Sequence, residues 1–420
     1  MAALRRKYSV QPFKVGPDFI DPGHHTQICG RASRNLDSYI MGEKGVFETF
    51  TRASADADFC VIEGVMGLYD GLDATEIAST AHVAKILDVP VLLVVDARGV
   101  SRSIAAVVKG FSEFDTVNIQ GIILNNAGSE RHVKLVRDSL TSARIKIPVI
   151  GSLPKNKNIS IPSRHLGLQM ASENNHNAEL LSEFIEKHID MEAVNNIANA
   201  YSPHYVEIKE PEETFNVRVG IAQDSAFCFY YQDSLDALKR QGADIVFFSP
   251  MNDELPQVDG LYLGGGYPEL YAKELESSRT RDQVKKAADD GMPIYGECGA
   301  LMYLNETLTT DRAYRMAGIL GAGSRMTDKL QGLGYTEAQV VSDSPLAKKG
   351  TIIRGHEFHY SVTDCDRDAR FAYRLKRGKG IIDGKDGLIE HNTLAAYMHT
   401  HPAAVSFAAF LRLCSRYEMS

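Results

Sequence analysis

No two cysteines in this sequence are spaced C-x-x-C, and the six that occur, at positions 29, 60, 228, 298, 365 and 414, follow no regular pattern. That excludes a disulfide framework and points to a reducing, cytoplasmic compartment. No apolar run reaches membrane-spanning length, and the residues after Met1 lack the apolar core of a signal peptide. A membrane-embedded or exported protein is therefore not expected. Positive charge is not in excess either: 46 Lys and Arg against 54 Asp and Glu leave a net charge of -8. This argues against a general nucleic-acid binder and leaves room only for local basic pockets. Internal repeats and low-complexity tracts are also missing. What is present is a globular composition, 44% apolar and 24% charged over 420 residues. That is enough for two or three domains with sizeable cores.

Short apolar runs bounded by turns alternate with stretches of helical length. The runs are Ser9 to Val15, Phe59 to Val65, Pro90 to Ala97, Ile119 to Asn125 and Ile147 to Leu153. Thr75 to Leu87 and Ser101 to Phe111 fit helices between them, which predicts parallel β-α-β units and an open α/β sheet. Ligands of such sheets sit beyond the carboxyl ends of the strands. Polar residues gather there. After the first run, Pro and Gly hold Asp18 and Asp21 on a loop, suited either to an oxygen-seeking cation such as Mg²⁺ or to an Asp-Pro turn with solvated acids. After the second, Glu63 is an acid ending an apolar run, where charge is costly unless it binds something. Gly64, Gly67 and Gly71 then allow a loop to approach a ligand. Asp96 and Arg98, and Asn125 and Asn126, follow the next two strands, so together these tips outline a nucleotide and metal site. Between Asn195 and Thr214 the apolar period lapses, and strands resume at Val217 to Ala222, Asp244 to Phe248, Gly260 to Leu263 and Pro293 to Tyr295. The expected division is 1–200, a linker 201–215, and 216–420.

Within the second half, Pro293 to Leu304 reads strand, Gly-x-Cys-Gly corner, helix, which is the pattern of a nucleophile elbow at Cys298. Glycines beside the cysteine permit a strained turn and weigh against an inert buried thiol. Gly264-Gly265-Gly266 can aim backbone N–H groups at one spot, as an oxyanion requires, or can simply be a flexible turn. Near the C-terminus His399 and His401 share a face if extended, and either could serve Cys298 as a base.

Several strings resemble the signatures of the cobyrinate a,c-diamide synthase family, which includes nickel-sirohydrochlorin a,c-diamide synthase. They are Phe13-Lys14-Val15-Gly16-Pro17-Asp18-Phe19-Ile20-Asp21-Pro22-Gly23, Arg34-Asn35-Leu36-Asp37, Glu63-Gly64-Val65-Met66-Gly67-Leu68-Tyr69-Asp70-Gly71 and Arg164-His165-Leu166-Gly167-Leu168. The glycine loop, cysteine elbow and late histidine, in that order, resemble a class I glutamine amidotransferase of the cobyrinate synthase type. This resemblance implies a P-loop NTPase-like, dethiobiotin synthetase-like domain followed by a flavodoxin-like amidotransferase domain. It implies an ATP- and Mg²⁺-dependent ligase that amidates the a and c carboxylates of a tetrapyrrole with glutamine nitrogen. By the same likeness Cys298 and His399 are catalytic, with Gly265 and Gly266 as oxyanion donors. Asp18 and Glu63 fall in the metal and phosphate region, Asp21 and Asp70 position substrate or metal, and Asn125 meets the nucleotide base. Expected partners are glutamine, ATP and a tetrapyrrole, with no nucleic acid and no membrane, and a homodimer stays open. The string Arg354 to Ser361 is a further family-like stretch without an assigned step.

Two departures stand out. Most class I members carry a carboxylate two residues after the histidine, where this chain has His401, so what orients His399 is left open. The family also begins with a G-x-x-x-x-G-K-T loop that cradles phosphate, and no such string occurs here. Met1 to Arg6 resembles the end of the helix after that loop. A fragment or a late start codon is the favoured expectation over loss of ATP binding, and amidation by the chain as written is not expected. Competing readings are a metallohydrolase using His356, His359, His399 and His401, and an ATPase-like switch without catalysis.

Overall fold

The computed structural model describes residues 1–160, 163–164, 167–168, 170–171, 177–202 and 204–417. His165 and Leu166 of the Arg164 to Leu168 string lie outside them. The chain divides into two compact units, Met1–Ile208 and Lys209–Ser420.

The first unit contains β1 (Val10–Val15), β2 (Arg34–Leu36), β3 (Phe59–Glu63), β4 (Val91–Asp96), β5 (Ile119–Ala127), β6 (Val149–Pro154) and the two-residue strands β7 (Ser163–Arg164) and β8 (Gly167–Leu168). β1 is buried along its whole length, as expected of a continuous apolar run in a parallel sheet. Pro12 is tolerated inside it because β2 pairs only with Phe13, Lys14 and Val15, so the missing N–H faces no partner strand there. Instead of one open sheet, the long strands form two three-stranded parallel sheets, β2-β1-β3 and β4-β5-β6. β3 and β4 each end a sheet because no described strand runs between them. Helices Thr80–Leu87 and Ser103–Phe114 follow the expected pattern, the first starting later because Asp73 and Ala78 take positive φ in the preceding loop.

A second correction concerns the loop expected around Asp21. Asp21 opens the helix Asp21–Cys29, with Pro22 in its first turn and Gly30, at φ 66°, closing it in the left-handed conformation. Proline is well placed at a helix start, where its missing N–H would have no partner anyway. Asp18 accepts the N–H groups of Ile20 and Asp21 at the entry to that helix.

In the second unit the strands are β9 (Val217–Ala222), β10 (Ala243–Phe248), β11 (Gly260–Leu263), β12 (Ile294–Glu297), β13 (Asn305–Thr309), β14 (Ala313–Arg315), β15 (Leu320–Met326), β16 (Gly332–Val340), β17 (Ile352–His359), β18 (Ser361–Cys365), β19 (Arg370–Arg377), β20 (Lys385–Glu390), β21 (Thr393–Ala396) and β22 (His399–Thr400). Ten of them form one sheet ordered β10-β9-β11-β12-β21-β20-β19-β16-β17-β22, and β14-β13-β15-β18 form another. The run from β10 to β21 is parallel, and the rest of the large sheet is antiparallel. Alternation along a strand feeds a core on each face: Leu261 and Leu263 enter one cluster, Tyr262 the other. Adjacent parallel strands therefore present their carboxyl ends together. Gly264 follows β11, Cys298 follows β12, and Tyr397 to His399 follow β21.

Candidate active site and family

Cys298 sits at φ 48°, ψ -94°, between β12 and the short helix Gly299–Leu304. A positive φ on a non-glycine residue is strained, and the surroundings hold it in place. The Cys298 N–H donates to the Ala396 carbonyl at 2.6 Å, and its own carbonyl accepts from Leu301. Gly296 and Gly299 flank it because space is short. A Cβ at Gly299 would lie 3.0 Å from Pro268 Cδ and 3.1 Å from the Gly266 nitrogen. The thiol is buried and lies 3.8 Å from the Phe358 carbonyl oxygen.

The glycine loop closes on the same spot. A Cβ at Gly265 would fall 2.6 Å from His399 Cε1 and 3.3 Å from its Nε2. Gly266 has φ 155°, and a Cβ there would meet the Ala226 carbonyl oxygen at 2.1 Å. Only glycine fits this position. The structure thus gathers Cys298, His399, Gly265 and Gly266 into one buried cluster.

His399 and His401 part company. The imidazole of His399 has Nδ1 3.4 Å from Glu297 Oε2, and its ring stacks on His356 with centroids 4.9 Å apart. Burial disfavours its charge, yet the Cys298 sulfur and the Glu297 carboxylate outweigh this and raise His399 to about 10. His356, paired with His399 across β17 and β22, is pushed well below the usual imidazole range by burial and then by the charge on His399. His401 lies 3.8 Å from Asp233 and accepts the Ala403 N–H on Nδ1. His359 stacks flat on Tyr397 and bonds the Ser361 carbonyl through Nδ1. His356 and His399 stack on each other, His401 turns to Asp233 and His359 to Tyr397, so the four imidazoles do not converge on one point. Among the described residues no group of three or more His, Cys, Asp or Glu is arranged to hold a metal ion.

Sequence reasoning missed Glu297. This residue is 1% exposed and ends an apolar strand, which is the signal that drew attention to Glu63. Its Oε1 accepts the Tyr295 hydroxyl at 2.6 Å and the Thr400 N–H at 3.0 Å, and its Oε2 accepts the Tyr262 hydroxyl at 3.1 Å.

In the first unit the acids expected near a metal and phosphate do converge, around a lysine. Lys14 is buried, donates to Asp21 Oδ2 at 2.6 Å and lies 3.3 Å from Glu63 Oε1. His25 Nε2 bonds the other Glu63 oxygen. Although burial works against its charge, Glu63 is held below the usual carboxylate range by His25 and Lys14. Asp18 is raised by burial and then by the charge of Asp21. Three carboxylates around one lysine leave excess negative charge, which suits a divalent cation that takes one or two carboxylates and otherwise keeps water or phosphate. Lys14 and His25 carried no role in the sequence reading, since a lysine inside an apolar run gives no sign of what it will face. Asp70 is exposed and closes a turn by accepting the Gly67 N–H. Asn125 is on the other sheet, beside Asp96 in the β4–β5 register, and accepts the Asn126 N–H.

Residues 218–407 match the profile of the CobB/CobQ-like glutamine amidotransferase domain, and residues 26–163 match that of an AAA domain. The cobyrinate a,c-diamide synthase of Methanocaldococcus jannaschii is 42% identical over 417 residues, covering 97% of this chain and 93% of that protein. Those of Methanosarcina barkeri and Archaeoglobus fulgidus are each 42% identical, covering 96% and 95% of this chain and 89% of each relative. No described helix is long and apolar enough to cross a membrane. With an amidotransferase-profile match over a site of cysteine, histidine and glycine loop, and relatives of this identity along nearly the whole length, the chain belongs to the cobyrinate a,c-diamide synthase family.

Proposed function

We propose that this chain cleaves glutamine at Cys298 and, when supplied with the phosphate-cradling loop that its sequence as written lacks, delivers the nitrogen to the a and c side-chain carboxylates of cobyrinate in an ATP-dependent amidation. Its class, a ligase taking nitrogen from glutamine, follows from the family. The observation that carries the glutamine half is the buried cluster of strained Cys298, His399 and the Gly265–Gly266 loop.

In this reading the Cys298 sulfur attacks the side-chain amide carbon of glutamine, and the carbonyl oxygen becomes an oxyanion facing the amides of Gly265 and Gly266. An imidazole with its pKa raised to about 10 is protonated at neutral pH, so His399 supplies the proton that lets ammonia leave. Water then attacks the thioester with His399 as base, releasing glutamate and restoring the thiol. Ammonia attacks a carboxylate already activated as its acyl phosphate and displaces phosphate, because a free carboxylate is a poor electrophile.

The ATP half rests on the family, on the AAA profile match and on the acids around Lys14. Asp18 and Glu63 would hold Mg²⁺, which would screen the phosphates, while Asp21 and Asp70 position it or the substrate and Asn125 meets the base. A cytoplasmic location agrees with the unpaired cysteines.

The test is nitrogen-donor dependence. In a fusion that supplies a relative's G-x-x-x-x-G-K-T segment ahead of Met1, Cys298→Ser is expected to abolish glutamine-driven amidation of cobyrinate while free ammonia still supports it. Undiminished glutamine use by this variant would overturn the reading.

A further inference from the structure

We propose that Glu297, the residue directly before the nucleophile, orients His399 and so occupies the role that a carboxylate after the histidine plays in other class I amidotransferases. The inference rests on the glutamine-cleaving reading of Cys298. Three observations carry it.

The first is where the carboxylate points. Oε1 is taken by Tyr295, the Thr400 N–H and the Thr400 hydroxyl, while Oε2 faces Tyr262 and Nδ1 of His399. A carboxylate on Nδ1 keeps a proton there and leaves Nε2, on the glycine-loop side, as the nitrogen that exchanges protons with the reaction. The second is the alternative at the usual position. His401 is turned to Asp233 and to its own Ala403 N–H, so no group two residues after His399 serves it. The third is cost. Glu297 is almost fully buried inside a strand, where a neutral Gln could satisfy the same tyrosines and threonine without the penalty of a buried charge. Charge is needed if a histidine must carry a proton beside it. The groups facing His399 are then Glu297 on β12, Cys298, and His356 on β17, which is neutral by its burial and contributes no positive charge.

Glu297→Gln separates this role from a merely structural one. A positioning role predicts that kcat for glutamine hydrolysis falls by about 10³ to 10⁴-fold, the size of the aspartate-to-asparagine effect in a serine protease triad. KM for glutamine should stay within about threefold, since substrate binding is untouched. The alkaline limb of the pH profile should move to lower pH, and Glu297→Asp should recover part of the loss. A structural role predicts a lower melting temperature with kcat and the pH limb of the folded fraction unchanged, and that outcome overturns the proposal. A wild type that neither hydrolyses glutamine nor reacts at Cys298 with a glutamine-analogue electrophile defeats the functional reading instead. In that event, or if E297Q does not fold, proton NMR of the wild type decides. A downfield Nδ1–H resonance, assigned by its loss in His399→Gln, supports Glu297 as partner, and its absence overturns the proposal.

Discussion

Glu297 and Glu63 both end a parallel strand and both have a histidine partner, but Glu297 is buried whereas the Glu63 side chain is 46% exposed on a half-buried strand. An acid at the tip of an apolar run is legible in the sequence at both positions, and at Glu297 the neighbouring Cys298 is the more conspicuous residue. Gly266 is a case where one atom decides. With φ at 155° and the Ala226 oxygen 2.1 Å from any Cβ, Gly266→Ala is expected to cost at least about 2 to 4 kcal/mol, read as a lower denaturant midpoint. A drop under about 0.5 kcal/mol would show that the loop is not held as described. His399 makes a pH prediction. A folded pKa raised from 6.5 to about 10 adds stability that is complete below about pH 6.5 and is lost as pH rises through about 10. Urea midpoints should therefore fall from pH 7 to pH 10 more steeply in the wild type than in His399→Gln. Equal slopes would remove the ion pair from the account.

Elements were legible where the strands are parallel. β1, β3 to β6 and β9 to β12 are short apolar runs between turns, and the expected spans match the observed strands within a few residues. The helix Asp21–Cys29 was hidden because Pro and Gly sit in its first turn and look like loop residues, although Pro22 and Gly30 mark its two ends. Most of the antiparallel half, β13 to β20, gave no strong period, since strands such as Lys385–Glu390 and Arg370–Arg377 interrupt their alternation with charge and bulges. That half matters for the site. Asp386 on β20 is wholly buried and accepts the N–H groups of Tyr397 and Met398, pinning the two residues that lead from β21 to His399. Burial pushes it up to about 6, against the pull of those amides. Asp386→Ala leaves two buried donors without an acceptor, for about 2 to 5 kcal/mol of lost stability. Glutaminase activity of the remaining folded protein should also fall, because the His399 segment loses its anchor. Full activity with normal stability would mean the β20 contact is dispensable.

For the whole molecule, family membership and the two-unit division supply the plan, and the carboxyl ends of β11, β12 and β21 supply one site in chemical detail. The acids around Lys14 supply the other in outline. Lys14→Met tests that outline: removing the one buried cation among three carboxylates should destabilise the protein by about 3 to 5 kcal/mol. Recovery of that loss by millimolar Mg²⁺ would support a cation among Asp18, Asp21 and Glu63. No recovery would restrict the cluster to a structural ion pair.

The central claim is that glutamine is cleaved by the Cys298 sulfur. Its most direct test is mass spectrometry of the full chain after treatment with a diazoketone analogue of glutamine. The account predicts one adduct per chain, on the peptide containing Cys298, with glutamine protecting and with slower labelling in His399→Gln. Labelling that is absent, or that falls on another cysteine while glutamine is still hydrolysed, would contradict it.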